Sequence, residues 1–442
     1  MNRNGVAPHT IVIGAGFCGL AAAYELTKRG IRVTVLETDS EIGGLAGSFS
    51  VNGTRLEKFY HHWFNSDQHI IGLIHELGAG NEVVMRPTQT GLFYANNIFR
   101  LSSPLDVLCF SPLPWTDRIR LGLLALRARR IRDWRTLESV SAAKWLREMS
   151  GERVYKVVWE PLLRGKFGNY FEDVSAVWFW NKLKLRGGSR SKGGGEQLAY
   201  YRGGFAALAD RLAEDIRARG GDIRTGAHVT ELLTSGTQCV GVVVGSDHIV
   251  ADAVIATPAL PIIADLLAPH LPSDYVSTLR RIKYLGNICL VLELDRSLSS
   301  TYWLNVNDPG FPFVAVIEHT NFEPSDTYGG RHIVYLSKYL PTTESQFLMT
   351  DDETLEYTLP HLKKMFPEFS REWVRDFHVW RARYSQPVVE CCYSNTIPST
   401  LTPLRGLYIS SMAQIYPEDR GTNYAVREGR SVATLISDAL EV

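Results

Sequence analysis

The amino-terminal part of the chain has a hydrophobic pattern that predicts a strand, a helix and a second strand. Residues 11–13 and 33–36 are short apolar runs rich in β-branched side chains. Short apolar runs bounded by turn residues are typical of buried strands. Between them, the alanine-rich stretch 20–29 favours a helix, and Gly30 follows it where a carboxyl-terminal glycine is expected. This order of elements is typical of an α/β protein.

Later in the chain the pattern alternates between helical and strand-like periods. Helices are predicted at 70–77, 205–219, 354–366 and 426–436. Strands are predicted at 222–226, 229–233, 240–244, 249–250, 251–258, 288–294, 313–317 and 333–336. We expect 222–226 to pair with 229–233, and Pro360 to kink or split its helix. The last three strands predict an antiparallel sheet in a second domain.

A glycine-rich turn joins the first predicted strand to its helix. Gly14 permits the tight turn, Gly16 lets the backbone approach a pyrophosphate, and Gly19 allows the helix to pack closely on the sheet. The helix start presents N–H groups and positive dipole charge to the phosphates. Glu37, 18 residues past Gly19, is placed to accept hydrogen bonds from ribose hydroxyls. Because this carboxylate repels a 2′-phosphate, the predicted ligand is an adenine dinucleotide other than NADP.

A second glycine patch, 43–47, follows shortly after the acidic residue. Such a patch is typical of FAD-binding chains rather than of NAD dehydrogenases, so FAD is the predicted cofactor. The cofactor contacts predicted from the two motifs are Gly14, Ala15, Gly16, Phe17, Cys18, Gly19, Glu37, Thr38, Gly43, Gly44, Leu45 and Ala46.

The order of three separated blocks resembles the FAD-dependent amine oxidase superfamily. The blocks are 11–47, 201–258 and 407–436, and together they cover about a third of the chain. Residues 60–65 are similar to a histidine-containing loop beside the flavin in UDP-galactopyranose mutase, and 416–421 occupies the place of the terminal flavin block. The resemblance is closest to the protoporphyrinogen oxidase-like and mutase-like branch of this superfamily.

The resemblance implies an α/β fold in which a Rossmann-like FAD-binding domain is interleaved with a substrate domain made of an antiparallel sheet and a helical cap. The FAD-binding domain is expected at 1–92, 201–265 and 401–442, the cap at 93–200, and the rest of the substrate domain at 266–400.

The resemblance also implies cofactor contacts outside the amino-terminal motifs. Val229 is expected to meet the adenine through its backbone, Thr257 closes the second block, and Gly421, Thr422 and Asn423 begin a helix aimed at the flavin ring. One departure from the family stands out. The tail strand reads Ser-Ser-Met-Ala at 410–413, without the usual Gly-Asp. The expected replacement is either Glu418 or Asp419, or the backbone alone.

Three residues are candidates for catalysis. His61 and His62 form an adjacent pair suited to moving a proton or orienting the substrate; a surface or capping role is the alternative. Arg383, followed by Tyr384, suits a carboxylate or phosphate at the mouth of the site; a salt bridge between domains is the alternative. The sequence shows no nucleophile triad and no metal-ligand spacing.

Three functions are compatible with these residues. The first is an FAD-dependent oxidoreductase that dehydrogenates or oxidises a small organic substrate by hydride transfer to the flavin. The second is a redox-neutral isomerase of the sugar-nucleotide mutase kind, which needs a diphosphate site. The third is a non-catalytic FAD-binding escort protein. We rank them in that order.

The composition bears on nucleic-acid binding, cellular compartment and membrane insertion. The formal net charge is +0, so we expect no nucleic-acid partner. Six cysteines without metal spacing, and the lack of a recognisable signal segment, predict a reduced, cytoplasmic protein. No apolar run approaches the ~18 residues of a spanning helix. Substrate identity, electron acceptor and oligomeric state are not predicted.

Two basic stretches leave alternatives open. Residues 117–135 contain seven arginines and two aspartates, next to the apolar and aromatic stretch 105–115. They form either a solvated face of the cap or a peripheral contact with an anionic membrane on its cytoplasmic face. The glycine-rich basic loop 184–197 is either a lid over an anionic substrate or a plain connection. An anionic or lipid-linked substrate suits either stretch.

Overall fold

The computed structural model of this 442-residue chain describes residues 7–188 and 197–441, apart from the side chains of 185–188. The strands found there are β1 (His9–Ile13), β2 (Arg32–Leu36), β3 (Ser48–Val51), β4 (Thr54–Glu57), β5 (Trp63–Phe64), β6 (Val83–Pro87), β7 (Thr90–Tyr94), β8 (Asn97–Arg100), β9 (Gln197–Tyr201), β10 (Asp222–Arg224), β11 (Val229–Ser235), β12 (Gln238–Val244), β13 (Asp247–Val250), β14 (Ala253–Ala256), β15 (Tyr284–Leu294), β16 (Trp303–Val306), β17 (Ala315–Glu318), β18 (His332–Leu340), β19 (Val374–Pro387) and β20 (Leu407–Ile409). The helices are α1 (Phe17–Lys28), α2 (Gln68–Glu76), α3 (Pro104–Cys109), α4 (Trp115–Arg130), α5 (Ala142–Ser150), α6 (Glu152–Val154), α7 (Glu160–Phe167), α8 (Ala176–Gly188), α9 (Gly204–Ala218), α10 (Leu260–Leu267), α11 (Ser273–Arg280), α12 (Ser345–Leu348), α13 (Asp351–Met365) and α14 (Thr422–Ala439). Most of the basic loop 184–197 lies outside the described residues.

A five-stranded parallel sheet joins distant parts of the chain. Its strand order is β10-β2-β1-β14-β20. Each neighbouring pair runs parallel, with Ile11 beside Thr34 on one side and Val254 on the other. β1 is buried along its whole length, as its continuous apolar run predicts. The α/β fold with a Rossmann-like sheet is therefore confirmed.

One predicted strand pair is wrong. β10 does not pair with β11; it adds in parallel to β2, whereas β11 begins an antiparallel sheet with β12 and β13. β10 is only three residues long, and neither of its ends is buried. The hydrophobic pattern of so short a strand does not indicate which strand it pairs with. β10 pairs with the edge of β2 that faces away from β1. The predicted hairpin between 240–244 and 249–250 is confirmed as β12 and β13.

A second sheet carries the predicted antiparallel strands. Its order is β19-β15-β18-β17-β16-β7-β8, and every neighbouring pair is antiparallel except β16 with β7. Helix α13 packs on this sheet and continues through Pro360. The five-segment domain division stays a prediction; β7 crosses its boundary at residue 92.

The helices α3 to α8 form a cap in which α4 contacts α5 and α8. Within the described part of the chain, no helix is both long enough and apolar enough to cross a bilayer.

Helix α1 packs between the parallel sheet and α14 at distances that only glycine permits. A Cβ on Gly19 would lie 2.0 Å from the carbonyl oxygen of Gly14. A Cβ on Gly429 of α14 would lie 2.3 Å from the carbonyl oxygen of Cys18. The amino-terminal helix α1 and the carboxyl-terminal helix α14 are therefore in direct backbone contact.

We expect Gly429→Ala to lower the free energy of unfolding by about 1–3 kcal/mol, because α1 and α14 have to separate. The measurement is a urea unfolding curve of the protein. The matched control is Gly72→Ala in the exposed part of α2, where an added Cβ meets no atom within 4 Å. That change should stabilise the protein by about 0.5–1 kcal/mol. Equal midpoints for the two variants would contradict the tight crossing.

Candidate cofactor and active site

The turn between β1 and α1 has the geometry that its glycines predict. Gly14 has a φ of 100°, and its N–H donates to the carbonyl of Leu36 at 2.8 Å. A Cβ on Gly14 would lie 2.5 Å from the hydroxyl oxygen of Thr257. Gly16 is the N-cap of α1, and no side chain among the described residues caps this helix. The first N–H groups of α1 are therefore available to phosphate oxygens.

The two glycine patches lie against each other. The N–H of Gly43 donates to the carbonyl of Ala15 at 2.9 Å, and Gly16 and Gly43 form a parallel bridge. A Cβ on Gly44 would lie 3.2 Å from the Cα of Gly16. The fold thus brings the predicted contacts of both motifs to one end of the parallel sheet.

Glu37 closes this turn from the end of β2. Its carboxylate accepts hydrogen bonds from the backbone N–H groups of Ala15 at 2.7 Å and Asp39 at 3.0 Å. Each carboxylate oxygen keeps further acceptor capacity. The side chain can therefore hold the glycine turn and accept from ribose hydroxyls at the same time.

The second predicted block reaches the same end of the sheet. The N–H of Ala227 donates to the carbonyl of Glu37 at 2.7 Å, which brings the start of β11, with Val229, beside β2. Thr38 is exposed, and its hydroxyl is 3.3 Å from Nδ1 of His228. The residues predicted at the adenine end therefore lie close together.

The side chains of other predicted contacts are used in packing. Phe17 is buried, and its ring packs on an aromatic ring of α9. The thiol of Cys18 lies 3.1 Å from the hydroxyl of Ser410, and burial raises the pKa of this thiol to about 12. Ala46 is buried and Leu45 half-buried. Any contact of Phe17 or Cys18 with a cofactor has to come from the backbone.

These residues fit FAD. An added Cβ on Gly16 would meet nothing closer than the Cα of Gly44 at 3.9 Å, so the space in front of α1 is open. Uncapped N–H groups face this space, and the carboxylate of Glu37 marks the ribose end. The donors suit a pyrophosphate and the carboxylate suits a ribose without a 2′-phosphate.

At the start of α14, two side chains predicted to contact the flavin are engaged within the protein. The hydroxyl of Thr422 accepts from Nε1 of Trp63 at 2.7 Å. The side-chain oxygen of Asn423 accepts from two backbone N–H groups at the start of α2, at 2.9 and 3.1 Å. These bonds tie α14 to β5 and α2. Gly421 is the N-cap of α14 and no described side chain caps it, so backbone N–H groups remain to face a ligand.

Both candidate replacements for the missing tail aspartate are ion-paired. Glu418 pairs with Arg427 at 2.9 Å. Asp419 is buried and pairs with Lys182 of α8 at 2.6 Å. Burial opposes its ionisation, but Lys182 and two further cations outweigh burial and hold the pKa of Asp419 well below its ordinary value. Asp419 therefore links the cap to the start of α14.

The predicted histidines lie in the segment between β4 and β5. Nδ1 of His61 donates to the carbonyl of Phe59 at 2.5 Å. Burial, helped by Arg420, lowers the pKa of His61 to about 4 against the opposing effect of that hydrogen bond. His61 is therefore neutral at pH 7, with Nε2 as an acceptor. Nδ1 of His62 lies 3.0 Å from the hydroxyl of Tyr302. A proton-transfer role for either histidine stays a prediction.

Beside these histidines lies a group that the sequence did not reveal, here named the tyrosine–cation cluster: Tyr60, Lys166, Tyr339 and Arg420. Nη2 of Arg420 donates to the hydroxyl of Tyr339 at 3.1 Å, and Nζ of Lys166 lies 4.1 Å from the centre of the same ring. Tyr60 hydrogen-bonds to Tyr339 from the histidine-containing segment. The cluster joins the cap (α7), the second sheet (β18), the histidine segment and the residue before Gly421.

The cluster has an excess of positive charge. Burial raises the pKa of Tyr339, but Lys166 and Arg420 outweigh it and lower the pKa to about 8. Burial lowers the pKa of Lys166. Among the described side chains, no carboxylate lies within 4.0 Å of the charged nitrogens of Lys166 or Arg420. The site is therefore suited to an anion.

Arg383, the third predicted catalytic residue, lies in β19 and is exposed to solvent. The structure does not bring it into the contacts described above. Arg420 supplies the guanidinium at the cluster instead. The only sequence signal for Arg420 is its position within the predicted terminal flavin block, 416–421.

Comparisons with known proteins agree with this geometry. A family model described as flavin containing amine oxidoreductase matches residues 17–437. A coproporphyrinogen III oxidase from Propionibacterium freudenreichii subsp. freudenreichii is 26% identical over 182 residues, which are 38% of this chain. The match spans only 33% of that relative's length.

Two solved structures share the fold. The structure of a putative protoporphyrinogen oxidase from Exiguobacterium sp. 255-15 has a TM-score of 0.78 and 17% identity, and the match covers 99% of this chain and 100% of that one. A reduced UDP-galactopyranose mutase has a TM-score of 0.74 and 14% identity, with 98% and 94% covered. Since the family model spans most of the sequence and the glycine cradle fits its cofactor, this chain belongs to the flavin-containing amine oxidoreductase family and binds FAD.

Proposed function

We propose that this protein is an FAD-dependent oxidoreductase that dehydrogenates or oxidises an organic substrate carrying an anionic group, by hydride transfer to the flavin. The observation that carries the proposal is the tyrosine–cation cluster next to the start of α14. In a flavoenzyme the cofactor supplies the redox chemistry, and the protein supplies binding, orientation and charge.

The charge balance of the site supports an anionic substrate. Three cations, Lys166, Lys182 and Arg420, act on the buried carboxylate of Asp419, and Lys182 acts on the carboxylate of Asp67 as well. With Tyr339 protonated and both carboxylates ionised, the formal charges of these groups sum to +1. Buried charge without a counter-charge is costly, so a carboxylate or phosphate of the substrate offsets that cost. Arg420 also has the planar geometry that binds such groups.

Tyr339 is placed to handle a proton. Because its pKa lies near 8, a substantial fraction of its hydroxyl is ionised just above neutral pH. A group with such a pKa serves well as a general base. In the proposed reaction the Tyr339 oxygen accepts a proton from the substrate, and Arg420 and Lys166 stabilise the phenolate beforehand.

A redox-neutral mutase-like reaction is the second candidate, because the same cations suit a diphosphate. An anaerobic absorbance experiment separates the functions. Under the proposal, a carboxylate- or phosphate-bearing substrate reduces the bound flavin, and oxygen or a quinone reoxidises it. Turnover of UDP-sugars only after dithionite reduction, without net redox change, would establish the mutase instead. A flavin that no substrate of either kind alters would favour the escort function.

Loss of the Glu37 carboxylate should weaken FAD binding. We expect Glu37→Ala to lose flavin on dialysis, because the ribose loses its acceptor and the Ala15 turn loses a hydrogen bond worth about 0.5–1.5 kcal/mol. The ratio of flavin to protein absorbance measures the effect. Glu41→Ala, which removes a nearby exposed carboxylate, is the control and should keep its flavin. Full FAD occupancy in the Glu37→Ala variant would contradict the role of Glu37 in binding the ribose.

Removing the charge of Lys166 should weaken anion binding. Inorganic pyrophosphate serves as the probe, followed by its perturbation of the flavin spectrum. We expect Lys166→Met to raise its Kd about tenfold or more, since a charge-assisted contact is worth about 1.5–3 kcal/mol. Lys166→Arg should retain most of the binding, and Lys144→Met, in the exposed part of α5, all of it. Unchanged affinity in Lys166→Met would argue against an anion site here.

The phenol of Tyr339 should titrate near pH 8. The difference in tyrosinate absorbance between the wild type and Tyr339→Phe should rise through a midpoint of about 8. Because Lys166 favours the ionised form, Lys166→Met should move this midpoint upward, toward the ordinary value of about 10. A midpoint near 10 in the wild type would remove the proposed base.

A further inference from the structure

One side of the cap exposes an apolar stripe to solvent. We name it the α3–α4 face and define it by Leu105, Leu108, Trp115, Ile119, Leu123 and Leu126. These side chains are between 36% and 71% exposed. Half of the large apolar side chains that the described residues expose lie between 98 and 126, less than a tenth of the chain. So strong a concentration marks an interaction surface.

The four residues of the stripe that belong to α4 form one continuous face of that helix. On α4, the positions 115, 119, 123 and 126 repeat at intervals of three and four, which places them on one side. The opposite side, with Leu121, Leu124 and Ala128, is buried in the cap, and Nε1 of Trp180 donates to the carbonyl of Ala128 at 2.8 Å. An ordinary surface helix is polar opposite its buried face. Helix α4 is apolar on both sides, and only one of them is covered.

Positive charge surrounds this face. The stretch 117–135 holds seven arginines and two aspartates, a formal charge of +5 within a chain of net charge +0. The two aspartates are already paired, Asp117 with Arg120 and Asp133 with Arg135. Arg130 and Arg132 are exposed at the end of α4. The surroundings therefore complement a negatively charged surface.

We propose that the α3–α4 face docks the protein on an anionic lipid bilayer, with α4 lying in the plane of the membrane. Tryptophan and leucine on one face with arginine at its borders is the composition of interfacial helices. Arginine side chains keep their charged ends at the phosphate level while their stems cover apolar surface. The formal charge of +5 over residues 117–135 complements an anionic surface rather than a basic protein partner. This proposal does not depend on the chemistry of the active site.

The test is cosedimentation of the FAD-loaded, full-length protein with vesicles. We expect binding to vesicles of phosphatidylcholine with phosphatidylglycerol, weakening as salt is raised, and little binding to phosphatidylcholine alone. The triple variant Ile119→Gln, Leu123→Gln, Leu126→Gln should bind about 100-fold more weakly. Its side chains are exposed, so folding should persist, and circular dichroism checks this. The matched triple control changes Val250, Leu348 and Leu401 to Gln, and it should bind like the wild type.

A second pair of variants tests the charge. Arg130→Gln with Arg132→Gln should weaken binding to anionic vesicles about 30-fold, at about 1 kcal/mol for each arginine. Arg217→Gln with Arg281→Gln, both exposed elsewhere, should leave binding unchanged. On vesicle binding, Trp115 should show a blue-shifted fluorescence that Trp115→Phe lacks.

Three results would overturn the proposal. The first is that the wild-type protein does not bind anionic vesicles at low salt. The second is an apolar triple variant that binds them as well as the wild type. The third is a dimer that the triple variant converts to a monomer without any effect on vesicles, which would make a second copy the partner. None of these results bears on flavin reduction, so a failure here is distinguishable from a failure of the proposed enzyme function.

Discussion

The structure depends on the close contact of α1 with the parallel sheet and with α14. Gly19 and Gly429 have no side chain at two places where α1 lies against neighbouring backbone. Because α14 can approach α1 this closely, the carboxyl-terminal block joins a domain that the amino terminus begins. Trp63 and Thr422 then meet through a hydrogen bond, and Arg420 comes to lie beside the histidine segment. The position of the candidate site therefore depends on close backbone packing at these two glycines.

Around that contact, the site is organised by charge rather than by apolar packing alone. The ion pair between Lys182 and Asp419 joins the cap to the residues that precede α14. Lys166 and Arg420 converge on Tyr339 from the cap and from the carboxyl-terminal block. Buried charges of this kind add little net stability, but they restrict geometry, since breaking one partner leaves the other uncompensated. The cluster therefore fixes the cap relative to β18 and to the residues that precede α14.

Two sides of the cap carry proposed functions: one binds substrate and the other contacts a membrane. Its inner helices α7 and α8 carry the two lysines of the site, and its outer helix α4 carries the exposed apolar stripe. Trp180 connects them: it lies in α8, near Lys182, and hydrogen-bonds to the backbone of α4. A surface that docks on lipid would then stand one helix layer away from the proposed substrate site. This arrangement suits a substrate that partitions into membranes, with an anionic group bound by the cluster.

The sequence by itself determined the features that are local in the chain. The glycine turn, the acid at Glu37, the second glycine patch and most of the strands follow from spacing over a few residues, because a turn or a buried strand imposes its constraint locally. Only the tertiary structure decided which distant side chains meet. It placed Lys166, Tyr339 and Arg420 together, left Arg383 in solvent, paired β10 with β2, and engaged Thr422 and Asn423 within the protein. Such contacts join positions separated by scores or hundreds of residues, and neither hydrophobic period nor motif spacing carries information across that distance.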